Sequence, residues 1–151
     1  MEILRALKIV GLFILFCSSI AVAELPPHVY AEYRKTAPEK IEIFILKLTS
    51  THNQSEYSTV TKISSIAKIN KVFRSESNLS EGQTIKINYQ RNEHGEFFVG
   101  PSQPIHLRTG KTYIAYLVEG EGFYMISAGG HSFITSDDYQ KYYSDEESPE
   151  Q

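Results

Sequence analysis

Residues 126–133 read ISAGGHSF and bring together the nucleophile and base types of acyl-transfer chemistry: Ser127, His131 and Ser132, with Asp137 a few residues on. A serine hydrolase needs an activated serine, a base beside it and an acid that orients the base. The spacing argues against that arrangement. There is no Gly-x-Ser-x-Gly elbow, and on a strand the adjacent His131 and Ser132 point to opposite faces, poorly placed to share a proton. The second use of such a stretch is binding. Gly129 and Gly130 supply backbone conformations closed to other residues, or let another backbone pass close. His131 and Ser132 then offer polar contacts. Segment 100–104 (GPSQP) is expected beside this loop, so Ser102 and Gln103 join Gly129, Gly130, His131 and Ser132 as the candidate ligand-binding set. The competing reading is a tight turn between strands, and it is the preferred one for the glycines themselves.

Other constellations are weaker. Gly110-Lys111-Thr112 ends like a phosphate loop, but Ile105 stands where the first glycine belongs, and no strand-to-helix junction surrounds it. The histidines after the leader, His28, His52, His94, His106 and His131, show no ligand spacing, and no thiolate accompanies them. Glu119 and Glu121 flank turn glycines, while Asp137-Asp138 reads as a helix start rather than half of a carboxylate pair. The sequence implies no catalytic set, no metal site and no cofactor.

The first 23 residues read as an address. Arg5 and Lys8 precede an apolar run over 9–16, and Ala21-Val22-Ala23 is a small-x-small cleavage site, the pattern of a secretory signal peptide. The apolar run is shorter than the ~20 residues a membrane span needs. The single cysteine, Cys17, lies within this leader behind Phe16, which is too large for the slot before a lipidated cysteine. Cleavage after Ala23 leaves a cysteine-free chain, a composition that suits a bacterial periplasmic or secreted protein better than a small disulfide-stapled domain. Without Arg5, Lys8 and Glu2, 13 basic and 17 acidic residues remain, a net charge of −4. No basic excess is available for phosphate backbones, so nucleic acid is a poor partner.

The elements that must position these residues are mostly strands. Residues 28–35 read as a short helix stopped by Ala37-Pro38. Residues 40–48 (KIEIFILKL) are dense in β-branched and aromatic types and read as a strand, and the polar stretch 49–58 as a loop. Segment 60–73 fits a helical stripe as well as a strand. Its Thr, Ser, Ile and Val content favours a long strand with a phase-shifting bulge. Strands are then expected at 84–89, 96–99, 113–118 and 123–127, with turns at 91–95 and 119–122. The tyrosines of the second half, Tyr113, Tyr116 and Tyr124, read as packing residues, whereas Tyr139, Tyr142 and Tyr143 suit either a capping tail helix or an interface.

One spacing recurs. Leu79-Ser80-Glu81-Gly82-Gln83-Thr84 and Leu107-Arg108-Thr109-Gly110-Lys111-Thr112 share Leu-x-x-Gly-x-Thr before an apolar residue. They read as two equivalent corners, each with a tucked leucine, a turn glycine and a threonine that opens a strand. With "AKINKVFRS…LSEGQTIKINY…GPSQPIHLRTGKTYIAYL", the stretch 63–134 resembles OB-fold barrels of the netrin-like group, to which tissue inhibitors of metalloproteinases belong. The resemblance implies the fold. Inhibitors of that group chelate zinc through an amino-terminal cysteine, and this chain departs from them there, with Glu24 at the cleaved end.

The expectation is an all-β, five- to six-stranded OB-like barrel over 24–136, with a short N-terminal helix and an acidic, partly helical tail over 137–151. Its expected function is that of an exported, non-enzymatic module that binds a protein or peptide partner in the envelope or outside the cell. A small hydrolase using His131 and a structural envelope protein with no discrete site are the alternatives. The oligomeric state is not readable from the sequence.

Overall fold

The computed structural model describes residues 24–54, 58–94 and 100–142. The expected leader over 1–23, the expected strand at 96–99 and the end of the expected tail at 143–151 lie outside the described residues. Helix α1 (Pro27–Thr36) is followed by strands β1 (Glu39–Gln54), β2 (Ser58–Ser75), β3 (Thr84–His94), β4 (Thr112–Glu119) and β5 (Tyr124–Ile126). A single 3-10 turn (Gly129–His131), strand β6 (Phe133–Thr135) and helix α2 (Ser136–Tyr142) complete the order. The protein is therefore mostly β.

Helix α1 starts at a proline, whose missing N–H is no loss in the first turn. It ends where Ala37, held extended ahead of Pro38, leaves the helical region (φ −55°, ψ 130°). Arg74 from β2 holds this end. Its Nε donates to the Ala37 carbonyl (2.8 Å) and its Nη2 to the Arg34 carbonyl (3.0 Å), giving partners to carbonyls the helix leaves open.

Period-2 alternation sets the sheet. Ile41, Ile43 and Ile45 of β1 are fully buried, as are Ile69 of β2 and Ile87 of β3, and they meet Leu107, Ala115 and Leu117 in one core. The expected bulge is present in the β1–β2 ladder, whose antiparallel register shifts at Lys40/Ile41, Glu42/Ile43 and Ile45/Lys47. The last shift leaves Leu46 without an opposite residue and 44% exposed.

Two turn assignments are corrected. Residues 49–54, read as loop, continue β1, pairing with β2 from Thr49↔Ser64 to Gln54↔Thr59. Residues 91–94, read as turn, continue β3, ending at His94↔Ser58. Both stretches are polar because they run beyond the core, not because they leave the sheet. Cross-strand hydrogen bonds replace packing there: His52 Nδ1 pairs with Thr61 Oγ1 (2.9 Å), and Thr49 Oγ1 donates to the Ser64 carbonyl.

The hydrogen bonding closes on itself. In addition to the order β1-β2-β3-β5-β4-β6, β1 pairs antiparallel with β4 over Glu39↔Leu117 to Phe44↔Thr112. The β3–β5 contact is parallel, at Ile87↔Tyr124. Each of β1, β2, β3, β4 and β5 thus has a partner on both sides in a ring, and β6 adds to β4.

The two Leu-x-x-Gly-x-Thr corners are equivalent in detail. Leu79 and Leu107 are buried, and Gly82 (φ 83°) and Gly110 (φ 78°) take the left-handed conformation. Gly82 N donates to the Ile69 carbonyl while Ile69 N donates to that of Gln83. Gly110 N and Lys111 O make the same pair of bonds with Ile45.

A second, smaller cluster lies under α2. Ala37, Ile114, Tyr116, Ala128 and Tyr139 pack with Phe73 and Ile134. Lys40 is buried among them, its Nζ donating to Tyr139 Oη (2.8 Å) and lying 4.9–5.8 Å from the Tyr139, Phe73 and Tyr116 ring centres. The tail helix is therefore a capping element, and Tyr139 packs rather than projects. No described helix is long and apolar enough to cross a membrane.

Candidate functional site

The loop at Gly129–His131 sits after β5 and before β6, tied to β4 by Ser127 N to the Tyr116 carbonyl and Tyr116 N to the Ser132 carbonyl. Ser132 is fully buried. Its hydroxyl accepts from Ala128 N (2.9 Å) and donates its one proton to the Gly129 carbonyl (2.8 Å). This corrects its expected role as a ligand contact, because the buried hydroxyl is not presented to a ligand, and its proton goes to the Gly129 carbonyl rather than to His131. Gly129 takes φ 52°, and Gly130 is a point of close approach. A Cβ on Gly130 would lie 2.6 Å from the Ser102 Cβ and closer still to its carbonyl. Segment 100–104 thus lies beside the loop, as its composition suggested. Gln103 turns the other way, accepting from Asn92 N (3.0 Å) and donating to the Pro101 carbonyl (3.2 Å).

The occupant of this corner is the N-terminal segment of the chain itself. The His131 ring lies against that of Tyr30, centres 4.2 Å apart, and Ser102 Oγ donates to Glu24 Oε1 (2.5 Å). That bond holds the exposed Glu24 carboxyl below its ordinary range. Burial, and then the Glu24 carboxylate it bonds, push the Tyr30 hydroxyl up. Burial, with Arg34 adding to it, holds His131 below its ordinary value of 6.5, and Glu24 opposes the shift. The loop is a seat for α1.

The remaining histidines stay apart: His28 on α1, His52 on the outer part of β1, His94 at the end of β3 and His106 exposed on segment 100–111. Among the described residues no three His, Cys, Asp or Glu side chains gather as a metal site. Glu119 and Glu121 are exposed at the β4–β5 turn, and Asp138 N donates to the Thr135 hydroxyl oxygen (3.2 Å), which caps the start of α2.

The concave apolar surface lies elsewhere. β1 meets β4 only as far as Phe44, and β3 meets β5 only at Ile87. Beyond those points the outer parts of β1, β2 and β3 run on as a three-stranded arm. Its face and the β4–β5 hairpin enclose a groove of about 610 Å3. Ile63 and Tyr89 form part of its wall, Phe123, Met125 and Ile126 face them from the hairpin, and Thr49, Ser50 and Thr51 line it from β1. Met125 is 40% exposed. Lys62 and Lys86 stand exposed on the same lining, and the side-chain Oδ1 of Asn88 there is buried without a partner among the described residues. Sequence alone does not reveal this surface, because its polar β1 wall, 49–51, reads as a loop. The one available signal was Met125, an apolar residue in a short strand where its neighbours pack.

No known family model matches the chain, and no curated protein is significantly similar to it in sequence.

Proposed function

We propose that this chain is an exported, non-enzymatic binding module, built as an OB-like barrel of the netrin-like type, and that it recognises a protein or peptide along the groove between the β1–β3 arm and the β4–β5 hairpin. The groove itself carries the reading. It is concave, mainly apolar and rimmed by Lys62 and Lys86, which suits an extended segment with apolar anchors and acidic flanks. Among the described residues no strand pairs with the outer edge of β1 beyond Ile45, whose own N and O bond the Lys111–Gly110 corner, and an added strand would pair along that edge. Ring-like hydrogen bonding with a parallel β3–β5 contact, and the two matched corners, support the barrel. The leader over 1–23 supports delivery to a periplasm or the cell exterior.

The test is selection of displayed random peptides on the immobilised protein, with recovered peptides re-tested on Met125→Asp and His131→Ala variants. Peptides rich in apolar and acidic residues that bind the wild type and His131→Ala but lose Met125→Asp support the reading. Recovery of no peptide, or binding that Met125→Asp leaves intact, contradicts it.

A further inference from the structure

We propose that a depression separate from the groove holds a second site, for a compact organic molecule carrying a phosphate or carboxylate group, with Arg91 as its principal contact. The depression has a volume of about 800 Å3 and lies among the end of β3, segment 100–111, the start of β4 and the start of α2. Arg91, Arg108 and Lys111 line it together with His106, and Asp137 is the one carboxylate in the lining. This concentration of positive charge stands on a chain of net charge −3. Such a local reversal of sign raises the concentration of small anions at the surface.

Two polar atoms on the lining residues lack partners. Arg91 Nε and Ser136 Oγ are both buried and make no hydrogen bond to any described residue. Leaving a buried donor unmade is costly, and for a guanidinium the natural complement is an oxyanion that takes two parallel N–H bonds. An anion held by Arg91 would satisfy that edge, and the Ser136 hydroxyl offers a donor from α2. Exposed Arg108 and Lys111 add charge at the mouth, where an incoming ligand still carries water.

The walls decide the size and kind of ligand. Pro104 and Ile105 give the depression an apolar side, so the anion is carried on a small organic body. A nucleic acid would need a continuous cationic track across the surface, which a chain of this net charge does not supply. The site shares no lining residue with the groove except through the fold, and the two stand or fall separately.

The test is titration of the purified protein with inorganic phosphate and, separately, with succinate, at ionic strength fixed by sodium chloride and followed by backbone amide shifts. Arg91→Gln is compared with Arg108→Gln, an exposed position that leaves folding untouched. The expected result is saturable movement at Arg91, Gln103, Lys111 and Ser136 with at least one anion, weakened about tenfold or more by Arg91→Gln and by a smaller factor by Arg108→Gln. Whichever probe saturates names the head group. Linear, non-saturating shifts with both anions, or saturation that neither variant weakens, overturn the proposal.

Discussion

Gly130 has no room for a side chain. Its missing Cβ is replaced by the Ser102 backbone, which belongs to a rigid proline-flanked segment and cannot swing aside as a flexible side chain would. Gly130→Ala is therefore expected to destabilise the protein by roughly 1–3 kcal/mol, the usual range for forced overpacking. Gly129→Ala meets only Tyr30 Cε1 at 3.5 Å, so its cost is the left-handed conformation alone, roughly 1–2 kcal/mol. Thermal unfolding of the two variants side by side checks the order. His131 gives a pH signature at the same corner. Its folded value lies below 6.5, so between the two values the unfolded chain binds more protons and stability rises with pH. The His131 contribution is whole above pH 6.5 and declines as pH falls below it. Glu24, also depressed, holds its contribution until pH drops below its ordinary 4.5. His131→Phe, which keeps a ring against Tyr30, is expected to flatten the dependence just below pH 6.5 and leave the acid limb in place. Denaturant midpoints across that range provide the measurement.

At the scale of elements, helix α2 is held to the sheet by an apolar cluster with the Lys40–Tyr139 hydrogen bond inside it. Tyr139→Phe keeps the ring and removes the acceptor of the Lys40 ammonium. A loss of about 1.5–3 kcal/mol is expected, the range for hydrogen bonds to charged groups, with faster amide exchange across α2 as the local readout. Much of the element order was legible because it follows from pattern: the isoleucine alternation of β1, the β-branched content of β2 with its bulge, and the two glycine corners. The outer halves of β1 and β3 were not legible. In β1 the residues from Thr49 on are exposed on both faces, and the end of β3 is polar throughout, so no apolar period marks either and only pairing with β2 makes them strands. The same misreading hid the groove, which exists only because the arm continues. The contact of Ser102 with Gly130 was legible from two glycines and a proline-rich neighbour. The seat for α1 was not, because nothing local links Tyr30 to His131, 101 residues apart.

The whole molecule is organised around a closed hydrogen-bonded ring from which one arm projects. The ring buries the aliphatic core, α1 and α2 cover its outer clusters, and the arm presents the groove. The proposed export has a consequence for the N-terminus. Cleavage after Ala23 would place the new amino terminus at Glu24, which bonds Ser102 beside the loop. Intact mass of the protein recovered from the periplasm or culture medium is expected to begin at Glu24, and retention of the leader would contradict the export reading. The central claim is that recognition belongs to the groove and that the glycine–histidine loop serves the fold. The most direct measurement is the map of backbone amide shifts produced by the tightest peptide selected on the protein. Movement concentrated at residues 49–51, 62–64, 86–90 and 123–126, with 129–132 still, is the expected result. A map centred on 129–132 and on Ser102 would contradict the account and return the site to the loop.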